Sequence, residues 1–345
     1  MSQSLSASFL TDDVSEVQRQ HELQFERLCR GDQPAHVPTF ASDVLGLPRD
    51  ESRDVDAWLG EKLLHLRENI ERYKDPVTWR PFALSLGRYD LHFASAVMGC
   101  PVFRNGDGPV WWTSLSKLGM RMEDFRSPDL DENAIFQEML GILKFVVEAT
   151  EGTVPVEIPY VSEPLVAAVD MFSEDFLACL AQEPELAGQV LDRISATILE
   201  MRHRFFEAVP GAPVYAHGFF SRMMPRGYTL LYGCTTQLIS GDMYGQHIRC
   251  RDVDLFTCHA RGGCIHLCGR HTQHIDAWRD MPEVKSLQLN DAANDDLEEY
   301  WSNLRPDQFV ILVPSERMTA ENALEVTGGR QLVINMTTEK RIPVQ

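Results

Sequence analysis

Apolar residues recur along this chain with two different periods. In 54–73, Val55, Trp58, Leu59, Leu63, Leu66 and Ile70 stand three or four positions apart, the spacing that gathers side chains on one helical face. Residues 134–149 repeat the pattern with Ile135, Met139, Ile142, Leu143 and Val146. A third stripe, Leu186, Val190, Ile194 and Ile198, runs on through Met201 and Phe205. It follows Pro184, whose fixed φ suits a first helical turn. These spacings predict three amphipathic helices with core-facing stripes.

Between and after the helices lie short apolar, often β-branched runs: FALSL (82–86), VPVEI (154–158), VYAH (214–217), YTLLY (228–232), CIHLC (264–268), KSLQL (285–289), FVILV (309–313) and QLVIN (331–335). Continuous apolar strands interleaved with helices predict a parallel sheet covered on both faces. Eight of them predict an α/β fold of the TIM-type (β/α)8 barrel class. No repeat or low-complexity linker divides the chain, but its first part is more charged, so 1–75 reads as an N-terminal helical extension and 76–345 as the barrel. Barrel chemistry collects at the C-terminal ends of strands. That rule selects Glu157, His217, Cys234, His266, Cys268, Asn290, Asp291, Glu316 and Thr337 as candidates.

Charge removes several classes of function. The 345 residues carry 32 Lys+Arg against 51 Asp+Glu, a formal charge of -19. With no basic run, a nucleic-acid partner is not expected. The N-terminal MSQSLSASFLTDDVSEVQRQ has neither a basic n-region nor an apolar h-region, and no stretch of ~18 apolar residues follows, so the expectation is a cytoplasmic protein without a membrane span. The eight cysteines are then expected to be reduced. They are unevenly placed: Cys234, Cys250, Cys258, Cys264 and Cys268 fall within 35 residues, and His217, His247, His259, His266, His271 and His274 crowd the same region.

Within GGCIHLCGRHTQH (262–274) the strand alternation puts Cys264, His266 and Cys268 on one face. Residues four apart on an extended strand are ~13 Å apart, which separates Cys264 from Cys268. His266 and Cys268 can share an ion where the chain curls at Gly269. Imidazole and thiolate suit zinc, whose catalytic sites use three protein ligands and an open position. Cys264, Cys250 and Cys258 read as packing residues, and His271 and His274 as solvent-facing. Trp111 and Trp112, after the NGDGP turn, read as wall residues or as a cover for a flat ligand.

The stretch IHLCGRHTQHIDAW (265–278) resembles the H-x-C-G strand and following helix of the uroporphyrinogen decarboxylase superfamily, which includes the zinc-dependent cobalamin (corrinoid) methyltransferases. GCTTQLISGDMYGQHI (233–248) and EGTVPVEIPYVSEPLVAAVDMF (151–172), with the helix after it, are similar to the family's arrangement, and the likeness spans roughly 76–335. The resemblance implies the barrel, and its methyltransferase branch implies zinc on His266 and Cys268. That branch commonly takes a third ligand from a cysteine after a late strand. No cysteine follows Cys268 here, which leaves Cys234, Glu316 or Glu157, Cys234 being preferred because a second thiolate keeps the site soft. The implied reaction moves a methyl group between a small-molecule donor or acceptor and a corrinoid on a partner carrier protein, with Glu157 and His217 as catalytic candidates. The alternatives are a cofactor-free decarboxylase, for which Gly87-Arg88-Tyr89 is a superficial match to the family's arginine loop, and a non-catalytic ligand-binding barrel.

Overall fold

The computed structural model describes residues 12–32, 39–41, 55–73, 78–79, 83–86, 89–104, 110–215 and 224–336. The chain forms strands β1 (Thr39–Ala41), β2 (Thr78–Trp79), β3 (Leu84–Ser85), β4 (Val102–Arg104), β5 (Val110–Trp112), β6 (Val156–Glu157), β7 (Val214–Tyr215), β8 (Thr229–Tyr232), β9 (Gly263–Leu267), β10 (Val284–Leu289), β11 (Phe309–Leu312) and β12 (Leu332–Met336). Helices alternate with them. The fold is mixed α/β: a seven-stranded sheet in the order β2-β1-β12-β11-β10-β9-β8 and a three-stranded sheet β3-β6-β7, with every pairing in both parallel. β4 and β5 form a separate antiparallel hairpin.

Each of the eight apolar runs contains a strand, β3, β6, β7 and β8 to β12. Strands β1, β2, β4 and β5, each two or three residues long, were not among them. β1 lies within 1–75 and pairs with β12 and β2, so the N-terminal segment contributes to the main sheet.

The helices obey local chemistry. Val55–Tyr73 and Ala134–Ala149 bury the expected stripes, and the Asn133 side chain accepts from Phe136 N to cap the second. Pro164 and Pro184 stand in the first turns of Pro164–Phe172 and Pro184–Ala208. Among the described residues no helix is long and apolar enough to cross a membrane.

Strand alternation sorts the core onto two faces. Leu231, Ile265, Leu267, Leu287 and Leu289 pack with the helices, whereas Leu230, Tyr232, Cys264, Phe309, Ile311 and Val333 form a second cluster on the other face. The helix Asp12–Leu28 covers one end of that second cluster. Its Phe25 is fully buried, edge-on to Tyr228 at 4.6 Å and to Phe309 at 5.4 Å. Tyr215 Oη donates to Glu22 Oε1 of the same helix at 3.0 Å. Because Tyr228 and Phe309 stand at strand beginnings, this helix closes the end opposite the C-terminal strand tips. Removing the Phe25 ring should therefore cost about 3–5 kcal/mol. Urea denaturation of Phe25→Ala checks this, with Leu23→Ala, 40% exposed on the same helix, expected within about 0.5 kcal/mol of wild type.

Candidate metal centre

Three parallel strands in register create the centre. Tyr232 of β8 is the Cα partner of His266 of β9, which is in turn the partner of Gln288 of β10. His266 is thereby flanked by a phenol ring at 5.0 Å and a carboxamide, and its Nδ1 lies 3.0 Å from Gln288 Oε1. An amide oxygen only accepts, so Nδ1 carries the proton and Nε2 presents its lone pair. Nε2 lies 2.8 Å from Cys268 Sγ.

Cys234 arrives from the short helical turn Gly233–Leu238 that follows β8. A Cβ at position 233 would lie 2.7 Å from Ile265 and 2.9 Å from Leu267, so only glycine lets this turn press against β9. Gln237 Nε2 donates to Cys234 O at 3.0 Å. Its amide occupies the space that a Cβ on Gly269 would fill, at 2.2 Å from Oε1. One donor atom from each of Cys234, His266 and Cys268 falls within 4.8 Å of the others. A cluster of two sulfurs and one imidazole nitrogen can hold a metal ion such as zinc.

The pair of thiols is electrically asymmetric. The hydrogen bond from Cys234 lowers the Cys268 thiol well below its ordinary value, against the opposing effect of burial. Donating that bond and burial both push Cys234 up. Asn290 Nδ2 stands 4.0 Å from the Cys268 sulfur, a further donor on the thiol of lower pKa.

His271 and His274 do not face solvent as expected; both are fully buried. Thr236 Oγ1 donates to Gly233 O at 2.7 Å and lies 3.0 Å from His271 Nδ1, while Thr236 O is 2.8 Å from His274 Nε2. The two rings tie the loop after Cys268 to the turn bearing Cys234. Burial lowers His271 to about 4 and lowers His274 as well, so both are neutral structural groups at neutral pH.

The remaining candidates disperse. Glu157 is buried on β6, where Val156 and Ile158 join the helix-side core, leaving Glu157 on the opposite face. It is not one of the three clustered donors. Glu316 and Asp291 are exposed. Cys264 packs in the second cluster and Cys250 is exposed. Trp111 is 49% exposed on the hairpin, whereas Trp112 stacks on His92 at 4.0 Å and donates to Asp170 O. His217, Thr337, Gly87 and Arg88 lie outside the described residues.

Sequence reasoning missed Gln288, visible as the lone amide in KSLQL, and Glu163, the acid before Pro164. Glu163 is a buried carboxyl that accepts from Tyr232 N at 2.5 Å and from Tyr160 Oη; burial raises it to about 8. It shares a cavity lining with Tyr232, Thr236, Asp252 and Trp278. Asp252 is likewise raised by burial, to about 7, and accepts from Tyr244 Oη at 2.9 Å.

No protein-family model matches the chain, and no curated protein matches it in sequence. In three dimensions it is similar to a methyltransferase from Methanosarcina mazei, with a TM-score of 0.62 and 16% sequence identity, over 92% of this chain and 93% of that one. The likeness is one of fold.

The raised Asp252 carboxyl gives a pH prediction. Folded, it keeps its proton until about pH 7; unfolded, it loses it near pH 4. Its contribution to stability is thus complete below pH 4 and lost as pH climbs to 7, on the order of 1 kcal/mol per pH unit. Comparing denaturation midpoints of wild type and Asp252→Asn across pH 4–8 should show a flatter profile in the variant.

Proposed function

We propose that this protein is a zinc-dependent methyltransferase that moves a methyl group between a small-molecule donor or acceptor and a corrinoid carried on a partner protein. The observation that carries the reading is the convergence of Cys234, His266 and Cys268 at the C-terminal ends of two adjacent parallel strands, in a chain whose fold is like that of a methyltransferase. The two parallel sheets are then arcs of one TIM-type barrel in the uroporphyrinogen decarboxylase superfamily. The runs β3-β6-β7 and β8-β9-β10-β11-β12 are each in chain order, the succession that a (β/α)8 wall requires, and β1 and β2 extend the second run past β12.

Cys234, His266 and Cys268 would hold the zinc, leaving a position for substrate. When bound, zinc would act as a Lewis acid, either lowering the pKa of a thiol acceptor or polarising the heteroatom of a methyl donor. The protein's own groups prepare that chemistry. Gln288 fixes the His266 tautomer, as outer partners of ligating histidines do. Cys268, with its pKa lowered by the hydrogen bond from Cys234, gives up its proton to a metal more readily than an ordinary thiol. Tyr160 and Tyr232 supply an aromatic wall beside the cluster. Glu157, on the face opposite the helix-side core, and His217, on the segment after β7, are the candidates for moving a proton or orienting the substrate. A tetrapyrrole-decarboxylating site would need several convergent cations; the described residues around the cluster offer thiols, phenols, an imidazole and carboxyls instead. We place the protein in the cytoplasm, where its thiols stay reduced, with 1–75 as the extension that braces the barrel of 76–345.

Elemental analysis of untagged protein purified without added metal tests the reading. Stoichiometric zinc is expected in wild type and in Cys250→Ala, and its loss in His266→Ala, Cys268→Ala and Cys234→Ala. Gln288→Leu should keep the ligands but bind zinc about 10–100-fold more weakly. Protein that takes up no zinc on reconstitution would overturn the proposal. A zinc-loaded protein would then be assayed for demethylation of methylcobalamin with thiol acceptors.

A further inference from the structure

The loop that follows β6 breaks two local rules to place one carboxyl. Ser162 is buried and holds φ at +68°, a left-handed conformation that strains a residue with a Cβ. Glu163, next in the chain, stands at the N-cap of Pro164–Phe172, where a short polar side chain ordinarily turns back to accept from the first N–H groups of the helix. It makes no such bond. Glu163, 4% exposed, instead reaches away from its own helix and accepts from Tyr232 N at 2.5 Å and from Tyr160 Oη. A strained residue, a forgone cap and a buried carboxyl are each unfavourable, so this placement is kept for what it holds.

What it holds is the end of a sheet edge. β8 is the last strand of the seven-stranded sheet, and Tyr232 is its final residue. A buried main-chain N–H at such an edge needs an acceptor, and Glu163 supplies it from the end of β6, in the other sheet. Tyr160 of the same loop packs edge-on against the Tyr232 ring at 4.9 Å. Gly233 and Cys234 follow directly. Toward β9, the turn they begin is fastened by Thr236 to His271 and His274. Glu163 fastens its start from the β6 side.

We infer that Glu163 is a positioning residue of the metal cluster: through the Tyr232 amide it sets where the chain leaves β8, and so brings Cys234 within reach of His266 and Cys268. The inference rests on the zinc reading of that cluster. Glu163 acts on the metal only through Cys234, so its loss removes one ligand and spares the other two.

Two probes on the full chain test this. The first is Co²⁺ alone, whose thiolate-to-metal absorption in the near ultraviolet grows with the number of sulfur ligands. Wild type and Glu163→Gln, whose amide keeps an acceptor for Tyr232 N, should show the same band. Glu163→Leu should show about half of it and bind cobalt about 10–100-fold more weakly. Glu163→Asp keeps a carboxyl but falls one methylene short of Tyr232 N, so it should behave like Glu163→Leu, and it decides the matter if the leucine variant does not fold. A group that served only global stability would leave the band of the folded variants unchanged.

The second probe is phenylarsine oxide, which condenses with two neighbouring thiols, forming two As–S bonds and releasing water. Intact mass of metal-free protein should show the bridge in wild type and Glu163→Gln, none in Cys234→Ala, and little in Glu163→Leu or Glu163→Asp. Wild type that takes up no cobalt, yet bridges arsenic only when Glu163 or its glutamine is present, would sink the zinc reading and leave Glu163 as the residue that places Cys234. Full cobalt intensity in a folded Glu163→Leu or Glu163→Asp would overturn the inference and leave the zinc reading standing, as would equal arsenic bridging in all the Glu163 variants.

Discussion

The parallel register of β8, β9 and β10 is the constraint on which the site depends. It sets Tyr232, His266 and Gln288 side by side, so one imidazole is oriented by its neighbours before any ligand arrives. A shift of one residue in any of these strands would turn its side chains to the helix-packed face. The leucines and isoleucines of the other face, buried against helices, make that shift prohibitive. Core packing and site geometry are therefore two sides of one alternation.

Beyond the strand ends, glycines and buried histidines do the remaining work. Gly233 permits the close approach of the Cys234 turn, and Gly269 leaves room for the amide that holds it. Thr236 is the point of attachment: through it His271 and His274 hold two loops together. The same arrangement explains why the thiols differ. The hydrogen bond from Cys234 lowers the Cys268 thiol, while donating it raises Cys234.

How far this could be read in the sequence follows from the range of each interaction. The apolar runs that became β3, β6, β7 and β8 to β12 and the stripes of the long helices are local patterns, and they were legible. So was the shared face of His266 and Cys268, which needs only strand alternation. Cys234 was one of three open choices, because its approach depends on a turn pressing against a strand some 30 residues later. Gln288 was invisible for a related reason: its meaning depends on which strand lies next to β9. The histidines after Gly269 were misread because a polar loop looks solvent-facing until the threonine that receives both rings, 35 and 38 positions away, is placed beside it.

The central claim, that Cys234, His266 and Cys268 form one zinc-binding donor set, is tested most directly by zinc K-edge X-ray absorption on the zinc-loaded protein. The account predicts two sulfur scatterers at about 2.3 Å and one imidazole nitrogen at about 2.0–2.1 Å, with a light atom completing the shell. A shell of nitrogen and oxygen alone, or one sulfur in wild type that persists in Cys268→Ala, would contradict it.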